Sequence, residues 1–187
     1  LSPDIEELCS QDKYSRVSCL LLWYPGSTGC SQKVFCYKSE PDFWGFPGGI
    51  TKSCEAYTDA LKRIVTTDCD FPKPVNKWIE KALSRPWSDA MTCITQRAHP
   101  ELIPNGKANH HYTIRMYALK LPSHFASPAP HITMRKGWAS EAYHNHGKEL
   151  SAGWKYVGAL APKLASSQLR DMMLQLMKNA NSSTPKN

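Results

Sequence analysis

The glycine pair Gly48 and Gly49 is followed within about twenty residues by Glu55, Asp59, Arg63, Asp68 and Asp70. Carboxylates near a glycine turn are the raw material of a divalent-cation site. Hard cations take oxygen ligands, and carboxylates supply compensating charge. A cation held there would neutralise a diphosphate and help generate a nucleophilic water. Spacing decides which groups meet, because helical positions three or four apart share a face. Ile64 and Asp68 share one face, and Arg63 and Thr67 share another. Asp68 therefore stands without a carboxylate neighbour, and weak metal binding at best is expected. Glu55, Asp59, Asp68 and Asp70 are the groups that an improvised site would use. Asp59 and Asp70 read more simply as solvated charges around an amphipathic helix. Gly48 and Gly49 permit a backbone turn that other residues resist, although Pro-Gly-Gly also marks ordinary strand-to-helix turns.

Other chemistry-bearing groups are scattered. His110–His111 and His144-x-His146 raise the question of a metal, since residues two apart in a strand share a face. With no carboxylate motif beside them, they read as solvated or hydrogen-bonded histidines. The seven cysteines, Cys9, Cys19, Cys30, Cys36, Cys54, Cys69 and Cys93, include no Cys-x-x-Cys. An odd, widely spaced set argues for reduced thiols rather than a disulfide framework or structural zinc. No nucleophile elbow, P-loop or dinucleotide fingerprint is present. Arg135, Lys136, Trp138, Tyr143 and Lys148 mix basic and aromatic side chains, which hold phosphates and stack on exposed bases. They are the local candidates for RNA contact. The competing reading makes Trp138, Tyr143 and Trp154 hydrophobic anchors beside a solvated basic face.

The elements that must position these groups follow from patterning. Val17–Tyr24 and Lys33–Tyr37 read as strands around a turn at 25–29. Ser53 reads as the N-cap of a helix running to Asp68, with Ala56, Ala60, Ile64 and Thr67 as its inward stripe and Leu61 and Val65 beside them. Pro72 and Pro74 stop it. Val75, Trp78, Ile79, Ala82 and Leu83 fall at helical spacing and predict a second helix. Ala90–Thr95, His111–Leu121 and Trp154–Val157 read as strands, with a turn at Pro104-Asn-Gly106. Leu169, Met172, Met173, Leu176 and Met177 form one face of a closing helix. The organisation is an entry segment over 1–14, one domain over 15–178 with an inserted helix near 75–84, and a polar tail over 179–187.

Composition sets outer limits. With 41% hydrophobic and 21% charged residues, the 187-residue chain is ordinary for a globular domain. No apolar run is long enough to span a bilayer, so no membrane partner is expected. The net charge of +7 and the pI near 9.0 favour a polyanionic partner such as RNA. The surplus is spread out, without a dense basic block. The chain opens on Leu1 rather than Met, which leaves open a removed targeting segment.

The stretch Phe43-Trp-Gly-Phe-Pro-Gly-Gly49, with Glu55 and Arg63 on spacing, resembles the opening half of a Nudix box. That motif is the metal and diphosphate site of the Nudix hydrolases, G-x5-E-x7-R-E-U-x-E-E-x-G-U. After Arg63 the chain departs from it. Ile64 and Thr67 stand where glutamates are expected, Asp68 replaces the last glutamate and Asp70 the glycine. The resemblance implies an α/β (α+β) fold of Nudix type, an αβα sandwich with a mixed β-sheet. It implies that Glu55 pairs with Arg63 and the loop, as the matching glutamate does in the family. Gly48, Gly49, Glu55, Arg63 and Asp68 are then a vestigial box.

The chain is also similar to non-catalytic members such as the Nudix-like subunit of the large mitochondrial ribosomal subunit, through an eroded box, basic character and a closing helix after Trp154-Lys-Tyr. The implied function is a catalytically inactive structural or RNA-binding subunit of a ribonucleoprotein assembly, with RNA and protein partners in the mitochondrial matrix. No catalytic residue, metal or cofactor is expected. The alternative is a cytoplasmic, magnesium-dependent pyrophosphohydrolase acting on a nucleoside diphosphate derivative or RNA 5′ end. Its metal site would be rebuilt with Glu101, Glu141 or Glu149. A third reading is a protein-docking scaffold using Trp78 and Trp87.

Overall fold

Strand β1 (Tyr14–Tyr24) is the axis of the fold, and every residue from Val17 to Tyr24 is buried. A strand covered on both faces loses polar alternation and reads as a continuous apolar run. Its side chains still divide by parity. Val17, Cys19, Leu21 and Trp23 enter one hydrophobic cluster, and Leu20, Leu22 and Tyr24 enter another. The computed structural model describes residues 14–26, 32–40, 43–85, 91–99, 102, 110–126, 129–130, 132–134, 152–164 and 166–182.

The sheet is mixed. β1 pairs antiparallel with β2 (Lys33–Glu40) and, nearer its start, with β4 (Gly48–Ile50). On its other side it runs parallel to β7 (His111–Lys120), in register from Tyr14↔His111 to Trp23↔Lys120. β6 (Met91–Arg97) closes that edge antiparallel to β7. β3 (Phe43–Gly45) and β9 (Ala152–Tyr156) pair with β2, while β5 (Cys69–Asp70) and β8 (Thr133–Met134) form a separate small pair.

Among the described residues, four α-helices flank the sheet. α1 (Tyr57–Asp68) and α2 (Lys73–Ser84) cover one face, where Leu61, Val65, Val75, Ile79 and Leu83 meet Leu20, Leu22, Tyr117 and Leu119. α3 (Val157–Leu160) follows β9 directly. α4 (Ser167–Ser182) covers the second face with Met172, Met173, Leu176 and Met177 against Leu21, Ile114 and Met116. The methionine stripe is therefore core packing. Buried Gln168 anchors the start of α4 by accepting the His99 N–H at 2.9 Å and donating to Arg97 O at 2.7 Å. Ser166 Oγ accepts the Gln168 N–H at 3.1 Å, satisfying a helix-terminal donor. No described helix is long and apolar enough to cross a membrane.

Element order matches the sequence reading, and several bounds move. The first helix begins at Tyr57, not Ser53. Its N-cap position is Ala56, and no side chain caps it. Residues 51–56 are irregular because the Glu55 carboxylate, not Ser53, accepts the loop N–H of Lys52 at 2.9 Å. Ala56 and Thr67 consequently leave the inward stripe, which consists of Ala60, Leu61, Ile64 and Val65. The second helix is present and runs from Lys73, with Pro74 in its first turn, where a missing N–H costs nothing. β1 starts at Tyr14, and α4 continues to Ser182. Cys19, Cys36, Cys54, Cys69 and Cys93 carry free thiols. Cys9, Cys30 and the turn at 104–106 lie outside the described residues.

Gly48 marks the closest approach of β4 to β1. A Cβ there would lie 2.7 Å from the Ser18 carbonyl oxygen, whereas one on Gly45 would meet nothing within 4 Å. Gly48→Ala is expected to lower the urea unfolding midpoint by the equivalent of about 1–3 kcal/mol, the range for a forced backbone shift. Gly45→Ala should leave the midpoint unchanged or raise it, because it restricts only the unfolded chain.

Candidate functional site

The loop from Gly48 to Ala56 is held to α1 by one forked ion pair. Arg63 Nε donates to Glu55 Oε2 at 3.0 Å, and Arg63 Nη2 donates to Glu55 Oε1 at 2.9 Å. The same Nη2 reaches the Ile50 carbonyl at 3.2 Å. Two parallel N–H···O bonds fix orientation as well as distance. Glu55 is only 16% exposed at its side chain. The Arg63 fork, then the Lys52 backbone N–H, hold its carboxyl down at about 2. Arg16 donates to the Glu55 carbonyl, tying the loop back to β1. Cys54 takes a positive φ of 61°, an uncommon conformation for a side chain with a Cβ, within this constrained turn. The expected Glu55–Arg63 pairing is thus seen directly.

On the helix beside the glycine turn, Ile64 and Thr67 present no carboxylate. Ile64 is 3% exposed, and its Cδ1 lies 3.2 Å from where a Cβ on Gly49 would stand. It fills the space between helix and glycine turn with hydrocarbon. Thr67 Oγ1 bonds its own helix, 2.8 Å from Arg63 O and 3.3 Å from Ile64 O, and lies 3.1 Å from Asp68 Oδ1. A hydroxyl has one proton to donate, and here the helix backbone takes it at the shortest distance. Burial raises the Asp68 carboxyl above its usual value, against the opposing pull of Thr67 and Arg63. Asp59 pairs weakly with Lys62 at 3.7 Å, and Asp70 is exposed. Among the described residues no three His, Cys, Asp or Glu side chains gather. A magnesium ion asks for several oxygen ligands in near-octahedral array, and one partly buried aspartate beside an isoleucine does not fit that demand.

Beside this loop lies a feature that sequence reasoning missed. The guanidinium groups of Arg16 and Arg115 lie over the Tyr57 ring, 5.0 and 4.2 Å from its centroid. Ser18 Oγ donates to the Tyr57 carbonyl at 2.8 Å, fixing the start of α1 on β1. Burial, then the neighbouring Tyr14 hydroxyl, push the Tyr57 phenol up to about 12. Arg115 Nε donates to Thr95 Oγ1 at 2.7 Å, and Arg97 Nη2 donates to His111 Nδ1 at 3.1 Å. Arg16, Arg97 and Arg115 have no carboxylate partner among the described residues. Period-two patterning held the signal. Tyr14-x-Arg16-x-Ser18 and His111-x-Thr113-x-Arg115-x-Tyr117 put polar and aromatic groups on one face of adjacent strands.

The remaining candidates separate. His110 Nε2 lies 2.7 Å from Ser15 Oγ, and its ring meets Tyr112 at a 45° tilt, 4.6 Å between centroids. His110 and His111 are hydrogen-bonded to different partners and do not converge. Trp154 is an anchor: its Nε1 donates to Pro130 O at 2.9 Å, and its ring meets Tyr24 and Phe35 edge-on at 4.9 and 5.8 Å. Arg135, Lys136, Trp138, Tyr143, His144, His146 and Lys148 lie outside the described residues, as do Trp87, Glu101, Glu141 and Glu149.

Neither a protein-family model nor a curated protein sequence matches the chain. Its three-dimensional arrangement does have counterparts. A dihydroneopterin triphosphate pyrophosphohydrolase from E. coli aligns over 88% of this chain and 96% of its own, with TM-score 0.55 and 16% identity. An Ap4A hydrolase from C. elegans aligns over 90% and 98%, with TM-score 0.53 and 8% identity. A NUDIX hydrolase from Listeria monocytogenes aligns over 87% and 94%, with TM-score 0.51 and 10% identity. The chain has the Nudix fold. At these identities the likeness concerns architecture, and the site must be judged on its own residues.

The Glu55–Arg63 fork sets a pH signature. A carboxyl held at about 2, against an ordinary 4.5, stabilises the folded state fully above pH 4.5. That contribution is lost as pH falls from 4.5 through 2. Wild type is expected to exceed Glu55→Gln in unfolding midpoint at pH 6 and to converge on it by about pH 2. Parallel denaturation curves across that range check this, and a constant gap would show that the carboxylate charge is not what matters.

Proposed function

We propose that this chain is a catalytically inactive Nudix-fold protein whose Nudix box is degenerate. On this reading it serves as a structural or RNA-binding subunit of a ribonucleoprotein assembly, and we place that assembly in the large mitochondrial ribosomal subunit, within the matrix. The observation that carries the inactive reading is Ile64, buried against Gly49 where the box calls for a carboxylate. Thr67, bonded to its own helix backbone, supports it further. Glu55 and Arg63 keep the turn in shape without supplying a metal ligand set, since Arg63 occupies both Glu55 oxygens.

The RNA part rests on the arginine face and the charge of the whole chain. Arg16, Arg97 and Arg115, with Tyr14, lie on adjacent strands beside the loop, and Tyr57 joins them from the first turn of α1. Guanidinium groups bind phosphate in a fork, and aromatic rings stack with bases. The net charge of +7 favours a polyanion at long range. Protein partners and the compartment follow from the family resemblance in the sequence.

Turnover is the direct test. Magnesium-dependent hydrolysis is to be measured on nucleoside diphosphate derivatives and on triphosphorylated and capped RNA, with Glu55→Gln and Asp68→Asn beside wild type. The expected result is no release above the protein-free control. Turnover that disappears in either variant would establish a rebuilt metal site and overturn the inactive reading. In the same preparation, crosslinking to RNA should fall in Arg16→Gln with Arg115→Gln and stay at wild-type level in Lys62→Gln.

A further inference from the structure

Among the described residues, β6 ends the sheet on the side of β7. Its pairing with β7 is unbroken from Met91↔Leu119 to Arg97↔Thr113. In an antiparallel ladder, alternate residues exchange both backbone bonds with the partner strand. Ala98 donates its N–H to Tyr112 O at 2.9 Å, so Thr92, Ile94, Gln96 and Ala98 turn their backbone groups toward β7. Met91, Cys93, Thr95 and Arg97 therefore turn theirs outward. α4 closes only the end of this row. The Gln168 side-chain amide donates to Arg97 O at 2.7 Å and accepts the His99 N–H at 2.9 Å. A residue of a parallel strand would bond the edge in the same way, to one carbonyl and to the N–H two residues on. Short of Gln168, the outward groups of Met91, Cys93 and Thr95 have no partner among the described residues. Open edges are ordinarily guarded by proline, lysine, a bulge or a covering element. The run Met91–Arg97 has no proline, no lysine and no bulge, and Cys93 and Thr95 are exposed.

We infer that the β6 edge is a docking strand for an extended, acidic segment of a partner protein. The backbone row selects a polypeptide. Its donors and acceptors recur every second residue, about 6.7 Å along the strand, a repeat that another strand meets with its own main chain. The side chains select the charge. In either strand direction, partner residues level with Cys93 and Thr95 lie on their face of the sheet. Arg97 and Arg115 belong to that face, and Arg115 Nε donates to Thr95 Oγ1 at 2.7 Å. A carboxylate level with Thr95 comes beside a guanidinium that has no ion pair among the described residues. A lysine in that place would meet like charge. Neither β6 nor β7 carries an acidic residue of its own. The partner residue level with Ile94 lies on the α4 face, where Ile94 packs on the core, and suits an apolar side chain. A second copy of this chain fits less well, since it would bring two sets of Arg97 and Arg115 to one seam and two net charges of +7 together. The inference goes beyond the RNA reading, which uses no backbone group of β6.

The probe is a fluorescein-labelled octapeptide alternating valine and glutamate, with binding read by anisotropy and backbone amide exchange by NMR. In the free protein, the Cys93 and Thr95 N–H groups should exchange as open amides. Those of Ile94 and Gln96, bonded to β7, should be protected. Saturating peptide should slow exchange at Cys93 and Thr95 at least about tenfold. Replacing the glutamates by lysine should weaken affinity at least about tenfold, and Arg115→Gln should narrow that difference. Only one edge of the peptide faces β6. N-methylation of one alternate set, the valines or the glutamates, should therefore abolish binding, while the other set is tolerated. The peptide changes leave the protein untouched, and thermal melting of Arg115→Gln confirms that its effect is not unfolding.

Protection of Cys93 and Thr95 in the free protein would overturn the proposal, because the edge would already be covered. Protection that grows with protein concentration would make a second copy the occupant and overturn it as well. No binding at millimolar peptide, equal binding of the lysine peptide, or tolerance of both N-methylated sets would each do the same.

Discussion

The Glu55–Arg63 fork is the constraint on which this end of the molecule depends. It joins an irregular loop to the middle of α1, and the spare Arg63 nitrogen reaches the carbonyl at the end of β4. Remove it and neither the loop nor the strand end has another charged tie to the helix among the described residues. An exposed ion pair is worth little. This one is mostly shielded, bidentate and joined by a backbone N–H, which is the geometry in which such a pair orders a turn. It also explains why the helix needs no side-chain cap: the carboxylate that might have capped it one residue earlier is spent closing the loop.

Ile64 is the counterpart of that fork. The same turn that Glu55 and Arg63 preserve brings Gly49 against the helix, and the contact there is hydrocarbon on a residue without a side chain. A carboxylate in that place would need a cation or a donor to remain charged, since burying one unpaired costs several kcal/mol. Isoleucine removes the need. Ile64 is thus stable there on its own terms. It packs α1 against β4 and leaves the geometry of the loop to the ion pair. Under the inactive reading, loop shape and metal chemistry have been separated onto different residues.

Much of the fold was legible because its signals are local. The apolar run Cys19–Trp23, the helical spacing of Val75, Ile79 and Leu83, and the stripe Met172, Met173, Leu176 and Met177 each point to one element. The Glu55–Arg63 pairing was legible through the family motif. The helix start was misplaced because Ser53 and Glu55 are both good signals for a helix terminus, and the tertiary partner Arg63 claims Glu55 for the loop. The arginine face was not found because its members come from β1, β6, β7 and the first turn of α1, and only the parallel register of β1 on β7 brings Arg16, Thr113 and Arg115 together.

That register also distributes the chemistry along the sheet. Where β1 and β7 begin, their outward positions on the α1 face are Tyr14, Arg16, Thr113 and Arg115, and the Tyr57 ring lies against the two guanidinium groups. In the middle, Leu20, Leu22 and Leu119 are sealed under α1 and α2. At the far end Lys33 lies over Tyr156 beside an open pocket walled by Tyr24 and Trp78, while Lys120 lies over Trp23 on the opposite face. The packing thus leaves polar and cationic groups at both ends of one apolar strand pair. Their character differs for a physical reason. Arginines on a flat strand face are held by Thr95, His111 and Tyr57 and present fixed, planar forks. Lys33 and Lys120 present compact, rotatable charges above the rings of Tyr156 and Trp23.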